Sequence, residues 1–188
     1  MRRSQGRETA KMKAKEIIGR NPLYLDTETT GTGRLDEVID LAVINSDGTV
    51  LFDSLVKPTI PIPAGATRVH QLDDAMVSRA SEFDEIYEGL TNLLRSRVVA
   101  IFNAEFDVRL LRQSAMKHNL GWQPSVFETV CVMNLYAQYY GEWSDYHQSY
   151  TWQSLEKARR QLGINLPNTH RALDDALLAR EVLHRMAA

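Results

Sequence analysis

Two β-prone runs, residues 38–44 and 49–57, flank the tetrapeptide Asn45-Ser46-Asp47-Gly48, and this limits the fold more than any other feature of the chain. An Asp-Gly step supplies the positive backbone dihedrals of a tight turn, so the two runs are expected to pair as an antiparallel hairpin. Upstream, Asn21-Pro22 breaks the chain, and residues 23–28 read as a further strand whose side chains alternate between two faces. Together the three strands predict an antiparallel meander. Pro58, Pro61 and Pro63 end it, because proline has no N–H to give to a ladder.

Helical patterning then covers residues 72–94, and a strand is expected at 98–102. That strand runs into a helix at 104–118, with Asn103 expected as its N-cap and Gly121 as a stop signal, which is half of a βαβ unit. A fifth strand is expected at 126–130, followed by helices at 132–140, 152–162 and 171–186. Antiparallel strands followed by strand-helix alternation predict an α/β fold, a mixed five-stranded sheet with helices on its faces.

At 188 residues and 44% hydrophobic, the chain suits one domain with a substantial core. No apolar run approaches the roughly 20 residues needed to span a bilayer, and no apolar signal core follows the basic N-terminus, so a soluble protein without membrane contact is expected. Cys131 is the only cysteine, which excludes an intramolecular disulfide and a Cys-rich zinc site and points to a reducing cytoplasm. Residues 1–20, expected to be helical, carry seven basic and two acidic side chains. They hold +5 of charge, and −7 falls on the remainder to give the net −2. An acidic body suits a site that gathers carboxylates around cations, whereas the basic segment serves either solubility or a phosphate backbone.

In Tyr24-Leu25-Asp26-Thr27-Glu28, strand periodicity puts Asp26 and Glu28 on one face. Side by side they repel, and a hard divalent cation would offset the repulsion; taken alone, however, such a pair is better explained as an exposed acidic strand face. The last helix is more informative. Ala172, Ala176, Ala179, Val182, Leu183 and Met186 form one apolar stripe, and Asp175 falls inside it, while Asp174 projects to the polar side. A carboxylate on a core-facing stripe costs several kcal/mol unless a cation, a buried base or a proton compensates. Asp107 likewise projects between Leu110 and Leu111, though an acid in a helix's first turn is also favoured by the helix dipole.

Three segments, in order, resemble the motifs of the DEDDh exonucleases, the group that holds the proofreading subunit of bacterial replicative polymerases, RNase T and oligoribonuclease. They are Asp26-Thr27-Glu28-Thr29-Thr30-Gly31, Asn103-Ala104-Glu105-Phe106-Asp107, and His170-Arg171-Ala172-Leu173-Asp174-Asp175 with its His-x-x-x-x-Asp spacing. The resemblance implies an RNase H-like sheet and a catalytic domain at residues 21–188, with residues 1–20 as a basic helical extension. It implies that Asp26, Glu28, Asp107 and Asp175 hold two Mg²⁺ or Mn²⁺ ions, which activate a water and stabilise the departing 3′ oxygen. Four carboxylates would balance two dications. It makes His170 the general base, a task for the side chain whose ordinary titration lies nearest neutrality. His170 is expected on a mobile loop after Pro167-Asn168-Thr169, with Asn168 or Thr169 capping the helix.

By the same resemblance Thr29 and Asn103 are candidate substrate contacts, as is His70, because Val69-His70 before an acidic stretch is similar to the family's segment after the third strand. His118, His147 and His184 are expected to be ordinary surface histidines. Six aromatics between Tyr139 and Trp152 would suit either base stacking or packing onto the core. The expected activity is removal of nucleotides from 3′ ends of DNA, preferably single-stranded, by a stand-alone enzyme or one that docks on a polymerase. RNA trimming and a non-catalytic binding module are the alternatives, and the complete five-residue set speaks against the second.

Overall fold

The computed structural model describes residues 2–122 and 126–188. Its elements are α1 (Arg2–Gly19), β1 (Leu23–Thr29), β2 (Val38–Ile44), β3 (Val50–Lys57), α2 (Ala64–His70), α3 (Asp74–Val77), β4 (Ser81–Glu82), α4 (Phe83–Leu94), β5 (Val98–Ile101), α5 (Ala104–Lys117), β6 (Glu128–Cys131), α6 (Val132–Tyr140), β7 (Trp143–Ser144), β8 (Ser149–Tyr150), α7 (Leu155–Gln161) and α8 (Ala172–Ala187).

The meander forms as the turn chemistry requires. β2 pairs antiparallel with both β1 and β3, and Gly48 takes φ +93° while its N–H donates to the Asn45 carbonyl. β5 lies parallel to β1, and β6 parallel to β5, so α5 is a crossover helix. The sheet order is β4-β3-β2-β1-β5-β6, six strands rather than the expected five. The addition, β4, is two residues paired with the end of β3, too short to show a periodicity. It also divides the expected helical stretch at 72–94 into α3, β4 and α4. The helix α2 forms directly after the prolines, ahead of the helical patterning expected from residue 72. Pro63 stands at its N-cap, where a missing N–H costs nothing.

Alternation along the strands sorts side chains between two apolar layers. Tyr24, Ile44 and Ala100 join α1, α6, α7 and α8 on one face, while Leu23, Leu25, Leu41, Val43, Val99 and Ile101 join α4 and α5 on the other. Both faces of the central strands are covered, so β2 is buried along its whole length. Each large aliphatic side chain removed from water this way contributes about 1.5–3 kcal/mol.

α1 is basic on its outer side and nearly featureless in apolar pattern, yet it is packed rather than free. Gly6, Ala10 and Ala14 recur every four residues and are buried, and the two alanines enter the α6/α8 layer. Small side chains let the helices approach closely. A Cβ on Gly6 would collide with the Tyr150 hydroxyl. Arg7 lies over the Tyr139 ring and donates to its hydroxyl at 2.9 Å, and Lys11 Nζ donates to the Ala188 carbonyl at 2.8 Å. The aromatic segment divides in the same way. Trp143 and Tyr150 meet edge to face across the β7–β8 hairpin, Tyr136 stacks on Tyr139 and Tyr140, and only Tyr146 and Trp152 are strongly exposed among them.

Candidate active site

Topology converges the acids. β1 carries Asp26 and Glu28 near its C-terminal end, and because β5 runs parallel beside it, the crossover starts α5 at that same end of the sheet. Asp107 therefore arrives in the first turn of α5. Asp175 arrives in the first turn of α8, whose N-terminus is held against β2, and His170 lies on the loop immediately before it. Side-chain donor atoms of Glu28, His170 and Asp175 lie within 4.8 Å of one another. Asp107 Oδ1 accepts from the Thr27 N–H at 3.1 Å and the Thr27 hydroxyl at 2.8 Å, which ties α5 to β1 between the two strand acids.

Three of these carboxylates are buried and Glu28 is half-buried, and among the described residues none of the four is in an ion pair. Asp26, Asp107 and Asp175 are 9%, 2% and 6% exposed. Burial, followed by the negative charges of Asp107, Asp175, Glu28 and Asp40, holds Asp26 well above the ordinary carboxylate range. Burial and then Asp175 push Glu28 up to about 8, with Asp40 and Asp107 adding and Arg171 opposing. Asp175 rises to about 7 through burial, then Asp174 and Glu156. Asp107 is raised as well, its burial outweighing the donated hydrogen bonds. Two like charges 4 Å apart repel by about 4 kcal/mol at an effective dielectric of 20, more than a neutral hydrogen bond returns. Asp175 Oδ1 is buried with no hydrogen-bond partner among the described residues. Oxygen donors with open positions are what a small hard dication takes, so the residues present fit such an ion.

A second trio, Glu82, Asp84 and His118, is equally close-set but already compensated. Lys57 Nζ donates to Glu82 Oε1 at 2.9 Å, Glu82 and Glu85 close a capping box, and Asp84 faces His118 Nδ1 at 3.5 Å.

Several local expectations need correction. Asn103 adopts a left-handed backbone (φ 68°) and makes no side-chain cap, which leaves its half-buried amide at the head of α5 free of that task. Neither Asn168 nor Thr169 caps α8; the Thr169 hydroxyl bonds Asp174, and Arg171 is the N-cap residue without a capping side chain of its own. His70 is 2% exposed, its Nδ1 accepting from the Leu72 N–H at 3.0 Å, so it lies beneath the site beside Thr29 rather than open to a ligand. His118 has a side chain only 9% exposed, and His184 is half-buried against Tyr24; neither is a surface histidine. Asp40 was missed altogether. It sits opposite Glu28 in the ladder, is 1% exposed, and accepts from Arg171 Nε at 2.7 Å and the Ala172 N–H at 3.3 Å. Its place within the run Val38-Ile39-Asp40-Leu41 was the available signal, since an unpaired acid in a buried strand is costly.

A mixed sheet covered by helices, with carboxylates gathered at one end, is the plan of the RNase H-like nucleases. Residues 23–183 match the RNase T exonuclease family, and the chain belongs to that family. It is 33% identical over 184 residues to the uncharacterized exonuclease CP81 of Escherichia phage 186, covering 95% of this chain and 94% of that one. It is 32% identical over 174 residues to a DNA polymerase III subunit epsilon-like protein of Rhodobacter capsulatus, covering 87% of this chain and 23% of that longer one. In fold it is similar to exonuclease X solved with 5′ overhanging duplex DNA (TM-score 0.63, 24% identity, 87% and 90% of the two chains). It is also similar to a 3′-exonuclease solved for its recognition of a histone mRNA stem-loop (TM-score 0.71, 14% identity, 89% and 64%). Among the described residues no helix is long and apolar enough to cross a membrane.

Proposed function

We propose that this exonuclease removes nucleotides from the 3′ end of DNA, releasing nucleoside 5′-monophosphates. One observation supports it above the rest: three buried carboxylates, Asp26, Asp107 and Asp175, and the half-buried Glu28 gather from β1, α5 and α8 near His170, and among the described residues none of the four is in an ion pair. Asp26, Glu28, Asp107 and Asp175 would hold divalent ions, Mg²⁺ or Mn²⁺, which when bound supply electrophilic stabilisation to the phosphate. His170, exposed on the loop before α8, takes the proton of the attacking water. As water oxygen bonds to phosphorus, the bond from phosphorus to the preceding nucleotide's O3′ breaks, and the 5′-phosphate leaves on the released nucleotide. We assign Thr29 and Asn103 to the terminal sugar, with His70 supporting Thr29 from below. The relation to polymerase III-associated proteins favours DNA as the polymer and makes a polymerase the partner class to test.

The experiment is Mg²⁺-dependent degradation of 3′- and 5′-labelled single-stranded DNA and RNA, with Asp175→Ala as the paired control. Stepwise shortening from the 3′ end, abolished by chelator and by Asp175→Ala, is the expected result. Faster loss of RNA would replace the substrate assignment. A folded protein that cleaves neither polymer with Mg²⁺ or Mn²⁺ would leave a binding module.

A further inference from the structure

We propose that Asp40 is a positioning residue for His170, acting from the sheet through Arg171 and the first N–H of α8. This rests on the assignment of His170 as general base. His170 has φ 53°, a left-handed backbone that costs a β-carbon-bearing residue about 1–2 kcal/mol and persists only where its neighbours fix it. Here the two flanks are fixed differently. Before His170, the Thr169 hydroxyl bonds Asp174 at 2.5 Å on the protein surface. After it, the buried Asp40 Oδ2 accepts both from Arg171 Nε at 2.7 Å and from the Ala172 N–H at 3.3 Å.

α8 has no cap of its own, because Arg171 at its N-cap has no side-chain acceptor to offer. Asp40 supplies the missing acceptor from another element, with its negative charge at the positive end of the helix. The strand that does this is anchored on both sides, and its ladder partner at Asp40 is Glu28. One side chain thereby ties the loop of the base to β2, the strand paired directly with the one that bears Asp26 and Glu28. Catalytic geometry tolerates about 0.5 Å of error, so such a tie decides whether His170 reaches its water.

Asp40 is not a fifth metal ligand. Oδ2 already receives two donors, and the Arg171 guanidinium beside it would repel a dication. Asp175 is held one turn into α8 by the helix's own backbone, its N–H donating to the Arg171 carbonyl at 3.0 Å, so the test separates the base from the metal site.

Asp40→Ala and Arg171→Ala are each measured alone and combined with His170→Ala, with Mn²⁺ as the cofactor. Alone, each is expected to lower kcat by about 10–100-fold, the range seen when an outer partner of a catalytic group is lost, with KM for the oligonucleotide and calorimetric Mn²⁺ affinity unchanged. Combined with His170→Ala, each should add no further loss, and Asp40→Asn, which keeps an acceptor, should recover most of the rate. Multiplicative losses, or a parallel fall in Mn²⁺ affinity, would overturn the proposal and make Asp40 part of the metal centre or of general stability. If Asp40→Ala does not fold, Arg171→Ala carries the same comparison from a side chain 41% exposed. Hydrogen exchange gives a readout independent of activity: residues 169–172 should exchange faster in either variant while β1 stays protected. Unchanged exchange would refute the tie even in an active enzyme, whereas a wild-type protein with no nuclease activity would refute the base assignment and leave the tie standing.

Discussion

Two sets of buried carboxylates in this protein have opposite electrostatic fates. Glu37 and Asp40 on or beside β2 are 2% and 1% exposed, yet each is answered. Thr59 donates to Glu37 through its N–H at 2.9 Å and its hydroxyl at 2.6 Å, with Lys117 at 3.8 Å; Arg171 and the α8 N-terminus answer Asp40. Asp26 and Asp175, comparably buried, have other acids for neighbours, and one Asp175 oxygen has no partner among the described residues. Burial alone therefore does not mark a functional acid. What sets Asp26 and Asp175 apart is burial that no ion pair among the described residues offsets, a cost that a bound cation would return.

The largest expected effect tests the uncompensated set directly. Asp175→Asn should lower kcat by about 10³-fold, as loss of a preorganised charge-stabilising group does, and His170→Ala by about 10²-fold or more if it is the base; single-turnover rates on labelled DNA check both. Near-normal rates in Asp175→Asn would remove it from the metal site.

Stability should separate the two sets by sign. In metal-free protein at pH 8, Asp175→Asn relieves buried repulsion and should raise the melting temperature. Asp40→Ala removes the cap of α8 and should cost about 0.5–2 kcal/mol in a urea titration. Equal signs would mean that the contrast drawn from the geometry is false.

A pH series sharpens it further. Glu28 titrates at about 8 and Asp175 at about 7 in the fold, both above their unfolded values near 4, so between those limits the folded state binds more protons than the unfolded one. With respect to these groups the metal-free protein is therefore most stable below about pH 4, and that stability is lost progressively as pH rises from there up through about 7–8. The melting temperature should fall by several degrees over that window, and saturating Mg²⁺ should abolish the fall. A flat metal-free profile would show that these acids are better hydrated than their burial implies.

The smallest effect is expected at the surface pair Arg20–Glu128, joined by two hydrogen bonds but about half exposed on both sides. Arg20→Ala should leave the melting temperature within a degree or so, because exposed pairs gain little over hydrated ions. A clear loss would mean that the tie from the turn after α1 to β6 is structural.

Much of the fold was legible in the sequence because it rested on local rules. The Asp-Gly turn set the meander, strand alternation put Asp26 and Glu28 on one face, and the helical stripe pointed Asp175 inward. The misses have a common cause. β4 is too short for a pattern, the left-handed Asn103 is decided by how β5 hands over to α5, and the burial of His70, His118 and His184 depends on what other elements place over them. Asp40 could be seen as an acid in an apolar strand, but its partners are 131 and 132 residues away in the chain.

From the sequence came the grouping of Asp26, Glu28, Asp107 and Asp175, through the resemblance of three ordered segments to the motifs of known exonucleases. Only the tertiary structure decided which buried acids are compensated. That outcome depends on distances between charges from different elements, and at low dielectric a few ångströms separate an ion pair that stabilises the fold from a repulsive cluster that awaits a cation.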